Sequence, residues 1–171
     1  MRRSLLRIPL ALTAAAGLVS TALVGGTADA GAPDGVAAIR AATARFHDPQ
    51  VAIDAGYIPT DVCVEAPGLG VMGQHWINPS LVGSIDLRHP AILLYQPGTD
   101  GPELVAVEYF QPDADQDLST DGDRPSLLGH PFDGPMLGHE PGMPIHYDLH
   151  AWVWQHNPAG TFAQFNPRGS C

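Results

Sequence analysis

The chain has 171 residues, of which 18 are acidic and 8 are basic, and its formal net charge is −10 at pH 7. This charge repels phosphate backbones and anionic lipid, so it disfavours nucleic-acid binding and attachment to membranes. The absence of lysine also excludes a P-loop and Schiff-base catalysis.

The first thirty residues have the pattern of an export signal. Three arginines among the first seven residues precede an apolar stretch, 8–24, and the small-x-small motif ADA at 28–30. Cleavage after Ala30 would leave a single secreted domain, 31–171, with 5 basic and 17 acidic residues and a net charge of −12. A retained membrane helix is less favoured because proline and glycine interrupt the apolar stretch. The opening RRSLLR also resembles a twin-arginine signal, so general and twin-arginine export both stay open.

Two helices are predicted at the start of the secreted domain. Apolar residues recur at three- and four-residue steps over 34–47, which predicts an amphipathic helix. Asp48 followed by Pro49 is typical of an N-cap and first helical position, and Gly56 is typical of the end of a short second helix.

The remainder of the chain predicts strands and loops. Strands are expected at 62–65, 71–78, 91–95, 104–110 and 145–155. The turn-rich segment 96–103 joins two of them as a hairpin, and the long connection 111–144 could lie across the sheet as a lid. We therefore expect an α+β fold in which an antiparallel sheet of four or five strands, a meander in part, packs on the N-terminal helices. A strongly curled sheet or a small barrel is the alternative.

Cys63 and Cys171 are the only cysteines. In an oxidising compartment such a pair is expected to form a disulfide, which here would join the C-terminus to the body of the domain. A thiolate metal or catalytic role is less favoured because neither cysteine belongs to a C-x-x-C pair.

The segment HEPGMPIHYDLHAWVWQHNP, 139–158, concentrates histidine and tryptophan. On a strand, His146, Asp148 and His150 share one face with two tryptophans, while apolar residues occupy the other face. His146 and His150 would be about 13 Å apart along an extended strand, so a metal site would need further ligands from neighbouring strands.

Two such partners lie in other predicted strands. By strand alternation, His75 shares a face with Val71 and Ile77. Glu108 likewise shares a face with Leu104, Ala106 and Phe110. An ionisable group in an apolar row is costly to bury unless it is paired, hydrogen-bonded or bound to a metal. The candidate ligands of a divalent transition metal (Zn, Cu, Fe, Ni or Mn) are therefore His75, Glu108, His146 and His150. The alternative is that they are structural polar residues.

A second hypothesis for the same region needs no metal. Trp76, Trp152 and Trp154 could form an aromatic surface that binds a carbohydrate or an aromatic ligand, although packing in the core is the more usual role of tryptophan. The acidic loop 113–123 resembles a calcium-binding loop but lacks the EF-hand glycine and closing glutamate. None of these patterns specifies a reaction, although a metal would suit redox or hydrolytic chemistry on a small molecule.

Four segments together resemble a family of small secreted bacterial proteins of uncharacterised function. They are ARFHDPQVAIDAGYIP (44–59), GLGVMGQHWINP (68–79), HPAILLYQPGTDGPELVAVEYF (89–110) and GHEPGMPIHYDLHAWVWQHNPAGTFAQFNPRGSC (138–171). The resemblance covers most of the secreted part and implies a single exported domain. It implies no activity and no catalytic residue.

Overall fold

The structure is a computed structural model that describes residues 32–171. The predicted export signal, 1–30, lies outside the described residues.

The N-terminal helices follow the predicted pattern closely. Helix α1, Ala32–Thr43, continues as a 3₁₀ turn, Ala44–His47, and helix α2 spans Pro49–Asp54. The side chain of Asp48 accepts a hydrogen bond from a backbone N–H in the first turn of α2, as an N-cap does. Gly56, with a φ of 96°, follows the helix at a left-handed position that favours glycine.

Eight strands follow the helices. They are β1 Ile58–Ala66, β2 Gly70–Ile77, β3 Ile92–Gly98, β4 Gly101–Pro112, β5 Ser126–Leu127, β6 His130–Pro131, β7 Asp133–Met136 and β8 His146–Ala151. Six form one antiparallel sheet in the order β1-β2-β3-β4-β8-β7, while β5 and β6 form a separate pair. The α+β fold is confirmed, and its sheet is a curled half-barrel whose first four strands form a meander.

Both faces of the large sheet are buried, and they differ in what covers them. One face packs on the helices and is called the helix face. There, sheet residues such as Leu93, Val107 and Leu149 pack with Ile39 and Phe46. The other, called the opposite face, carries a smaller apolar cluster: Ala91, Ile92, Leu94, Val105, Ala106, Phe110 and Trp152. A side chain on the opposite face is therefore enclosed without contacting the helices.

A bulge in β4 changes one prediction about these faces. Leu104 pairs with Tyr95 and Ala106 pairs with Leu94, which leaves Val105 without a partner on β3. The extra residue shifts the alternation by one position. Leu104 therefore lies on the helix face, and the prediction that it shares a face with Glu108 is wrong, although Ala106 and Phe110 lie on the opposite face.

The last strand is shorter than predicted, because β8 ends at Ala151 and not at 155. Beyond it the backbone N–H of Trp152 bonds to the carbonyl of Thr161, and the N–H groups of Trp154 and Gln155 bond to Val105. Thr161 and Val105 are not among the residues that pair β4 with β8, so the regular strand ends at Ala151.

The long connection 111–144 contains the short strands β5, β6 and β7. Because β7 pairs with β8, it gives the sheet a sixth strand beyond the four or five that were predicted. Its sequence, DGPM, carries none of the apolar alternation that identifies a strand.

Cys63 of β1 and Cys171 form a disulfide, as predicted, with their Cα atoms 5.8 Å apart. Within residues 32–171, no helix has the length and apolar character needed to cross a membrane.

Candidate metal centre

Three ionisable side chains meet on the opposite face, and each comes from a different strand. His75 lies on β2, Glu108 on β4 and His150 on β8. Glu108 and His150 are direct partners across the two strands, and β3 separates His75 from Glu108. The topology thus brings together residues that are far apart in the chain.

The side chains point toward one another. The Oε2 atom of Glu108 lies 3.2 Å from Nε2 of His75 and 3.6 Å from Nε2 of His150. One ligand atom from each residue lies within 4.8 Å of the other two. Two atoms bound at ~2.0 to 2.1 Å to a tetrahedral ion are about 3.3 Å apart. The cluster could therefore hold a metal ion after small movements of the side chains.

All three residues are buried, and several of their polar atoms lack a partner. The exposed fractions are 6% for His75, 3% for Glu108 and 0% for His150. Nδ1 of His75, Oε2 of Glu108 and both ring nitrogens of His150 form no hydrogen bond of acceptable geometry with the described residues. Because unpaired buried polar groups are costly, Oε2 of Glu108 and Nε2 of His150, which lie 3.6 Å apart, favour a shared ligand.

The charges of the cluster shift two pKa values in opposite directions. Burial alone would raise the pKa of Glu108, but the neighbouring imidazoles of His150 and His75 outweigh it and hold the pKa below its usual value. Burial alone would lower the pKa of His150, but the carboxylates of Glu108 and Asp148 outweigh it and raise the pKa to about 9. A metal ion that bound here would replace a proton on His150.

Asp148 lies on the far side of His150 from Glu108. Its Oδ1 atom is 3.5 Å from Nδ1 of His150, and the residue is buried. A carboxylate behind a histidine is the usual outer partner of a metal-binding imidazole. Asp148 was not predicted as a site residue, although the strand face that it shares with His146 and His150 was the signal that it lay beside them.

His146, the fourth predicted ligand, lies outside the group. It pairs with Pro112, four residues along β4 from Glu108. Its ring stacks on Phe110 at 4.5 Å between centroids, and its Nδ1 lies 3.0 Å from the carbonyl oxygen of Pro144. The structure thus brings together three of the four predicted residues, and the extended strand keeps His146 apart from them.

The predicted tryptophan surface does not form. Trp76 belongs to the helix face, where it packs on Tyr95, while Trp152 belongs to the opposite face and donates a hydrogen bond to the carbonyl of Ala163. Trp154 lies beyond the end of β8 and donates to the hydroxyl of Thr43 on α1. Each tryptophan has its own packing role, and no common aromatic surface results.

A cavity of about 250 Å³ adjoins the cluster and is lined by both His75 and Glu108. The segment 139–143, at the end of the long connection, lies over it and contributes His139, Glu140 and Met143. The connection was predicted to be able to cover the sheet, and this part of it does. Glu140 and Met143 were not predicted as site residues, since neither follows a periodic pattern.

The acidic loop 113–123 satisfies most of its carboxylates internally. Asp117 accepts hydrogen bonds from Ser119, and Asp123 accepts them from the N–H of Ala114 and the hydroxyl of Tyr147. Among residues 32–171, only the cluster of His75, Glu108 and His150 brings three metal-binding side chains together.

No family model matches this chain, and neither a curated protein nor a solved structure shows significant similarity to it.

Proposed function

We propose that this protein is an exported domain that binds one divalent transition metal through His75, Glu108 and His150. The convergence of one ligand atom from each of three buried residues within 4.8 Å carries the proposal. The disulfide is consistent with an oxidising compartment such as the extracellular space.

The ligand set narrows the choice of metal. Two imidazoles and one carboxylate hold zinc in several hydrolytic enzymes, and the same set with open positions holds non-haem iron(II) in oxygenases. Zinc and iron(II) are therefore the first metals to test, followed by copper and manganese.

Three protein ligands leave a coordination position free, which distinguishes catalytic metal sites from closed structural ones. The cavity lies on the side of the cluster where His75 and Glu108 are accessible. We infer that the metal acts on a small molecule admitted through this cavity, by hydrolytic chemistry if it is zinc or by redox chemistry if it is iron.

The test is the metal content of residues 31–171, purified without a histidine tag and reloaded with zinc, iron(II), copper or manganese in turn. We expect one ion per chain for the preferred metal, and at least a hundredfold weaker binding in the His75→Gln and Glu108→Gln variants. His146→Gln is the matched control, because this buried histidine lies on the same face but outside the cluster. It should retain one ion per chain.

Circular dichroism would establish that each protein is folded. A folded wild-type protein that takes up no stoichiometric metal from any of the four solutions would overturn the proposal. The three residues would then form a metal-free charged network. Equal losses of metal affinity in His146→Gln and His75→Gln would instead show that the ligand set is different.

A further inference from the structure

We propose that the cavity beside the metal centre takes one small, largely apolar molecule, about the size of a single aromatic ring with a short substituent, whose oxygen donor completes the metal coordination. The inference rests on the proposed function, because the donor group requires the metal.

The volume of the cavity sets the size of this molecule. It measures about 250 Å³, whereas an engineered cavity of roughly 150 Å³ in another protein binds benzene. The space therefore accommodates one ring with a few further atoms.

The walls of the cavity set its polarity. Most of the surface that lines the cavity is apolar, and five of the ten lining residues are apolar: Val62, Ile77, Ile92, Phe110 and Met143. The hydroxyl of Thr60 also faces this region, but it already donates a hydrogen bond to the backbone carbonyl of His75. A ligand with many hydroxyl groups would leave them unpaired against these walls, which is costly.

The distribution of charge limits the ligand further. Among residues 32–171 no arginine lines the cavity, the chain has no lysine, and the exposed residues His139 and Glu140 lie on the covering segment. A bound divalent metal would neutralise one anionic donor group, but a second anionic group would have no cation beside it. Phosphorylated molecules and dicarboxylates are therefore disfavoured, because a buried charge needs a partner.

The test compares three hydroxamates on the zinc-loaded protein by isothermal titration calorimetry. All three carry the same metal-binding group. We expect benzohydroxamate to bind at least tenfold more tightly than acetohydroxamate, because its ring is buried against the apolar walls. We expect 4-carboxybenzohydroxamate to bind at least tenfold more weakly than benzohydroxamate.

Two variants on the same strand localise the effect. Val62→Phe should fill the cavity and abolish the preference for the aromatic ring, while acetohydroxamate binding stays unchanged. Val64→Phe is the matched control, since Val64 is half-buried on β1 but does not line the cavity. It should leave the preference intact.

The outcomes separate the two proposals. Binding of acetohydroxamate with no gain for the aromatic probe would overturn the apolar-ligand inference and leave the metal site standing. A protein that holds no metal and binds neither probe would overturn both. If Val62→Phe does not fold, the comparison of probes on the wild-type protein decides the question.

Discussion

His150 lies between two carboxylates, Glu108 on one side and Asp148 on the other, with no exposure to water. The two carboxylates have different roles in the proposed site. Glu108 and His75 both face the position of the proposed ion, whereas Asp148 lies behind the imidazole of His150 and contacts its Nδ1. Asp148 is therefore placed to fix the ring orientation and to make the other nitrogen a better metal donor.

This arrangement predicts the effect of Asp148→Asn. The three ligands stay in place, but the carboxylate that orients His150 is lost, so we expect metal affinity to fall about 10- to 100-fold with one ion per chain still bound at saturation. A competition titration against a chromophoric chelator measures the affinity.

Asp133→Asn serves as the control for charge alone. Asp133 pairs with Asp148 across β7 and β8, and its charge contributes to the raised pKa of His150, but it does not contact the ring. Its loss should weaken metal binding less than Asp148→Asn. Equal effects of the two variants would show that Asp148 acts through charge and not through contact.

At the residue scale, the sequence predicted the central ligands from alternation alone. His75 and Glu108 stood out because each interrupts an apolar row, and both lie in the cluster. The strand geometry placed His146 and His150 about 13 Å apart, but both were kept as candidate ligands, and only His150 lies in the cluster. Asp148 was not identified as a partner because alternation shows which residues share a face but does not show where their atoms point.

The C-terminal segment, 152–171, contains no regular helix or strand and is attached to β2 by backbone contacts. Val71 and Asn166 exchange two hydrogen bonds, of 3.1 and 2.8 Å. The attachment requires a close approach at Gly70, where an added Cβ would meet the backbone of Asn166. Gly70 also has a φ of 112°, which side chains rarely adopt.

Gly70→Ala should therefore destabilise the protein by more than about 2 kcal/mol, because backbone strain adds to the steric clash. Gly68→Ala separates the two effects. Gly68 also has a positive φ, 79°, but nothing lies near its added Cβ, so strain alone should cost about 1 kcal/mol. Urea unfolding of both variants measures the difference, and equal losses would argue against a close approach at Gly70.

The helices, the β3–β4 hairpin and five of the strands followed from local patterns in the sequence. The bulge at Val105 did not, since an extra residue in β4 has no signature in an alternating apolar run. The end of β8 did not follow either, because it depends on hydrogen bonds to Thr161 and Val105. Such partners are set by tertiary structure and cannot be read from the strand itself.

At the scale of the whole molecule, the cysteine pair was predictable because only one pairing is possible. The path of the connection 111–144 was not, because its short strands are held by neighbours and not by their own apolar patterns. The covering segment 139–143 belongs to this connection. Its location over the candidate metal centre is therefore a property of the folded molecule.

The disulfide joins residues separated by 108 positions, so it restricts the unfolded chain strongly. In the chain-entropy account, a loop of this length stabilises a protein by about 4 to 5 kcal/mol. We expect the double variant Cys63→Ser, Cys171→Ser to lose stability of this order in urea unfolding, compared with the oxidised protein. The three proposed metal ligands lie on β2, β4 and β8, and neither cysteine contributes to the cluster. The folded double variant should therefore still bind one ion per chain, and a loss of the ion with the disulfide would show that the centre depends on the attachment of the C-terminus.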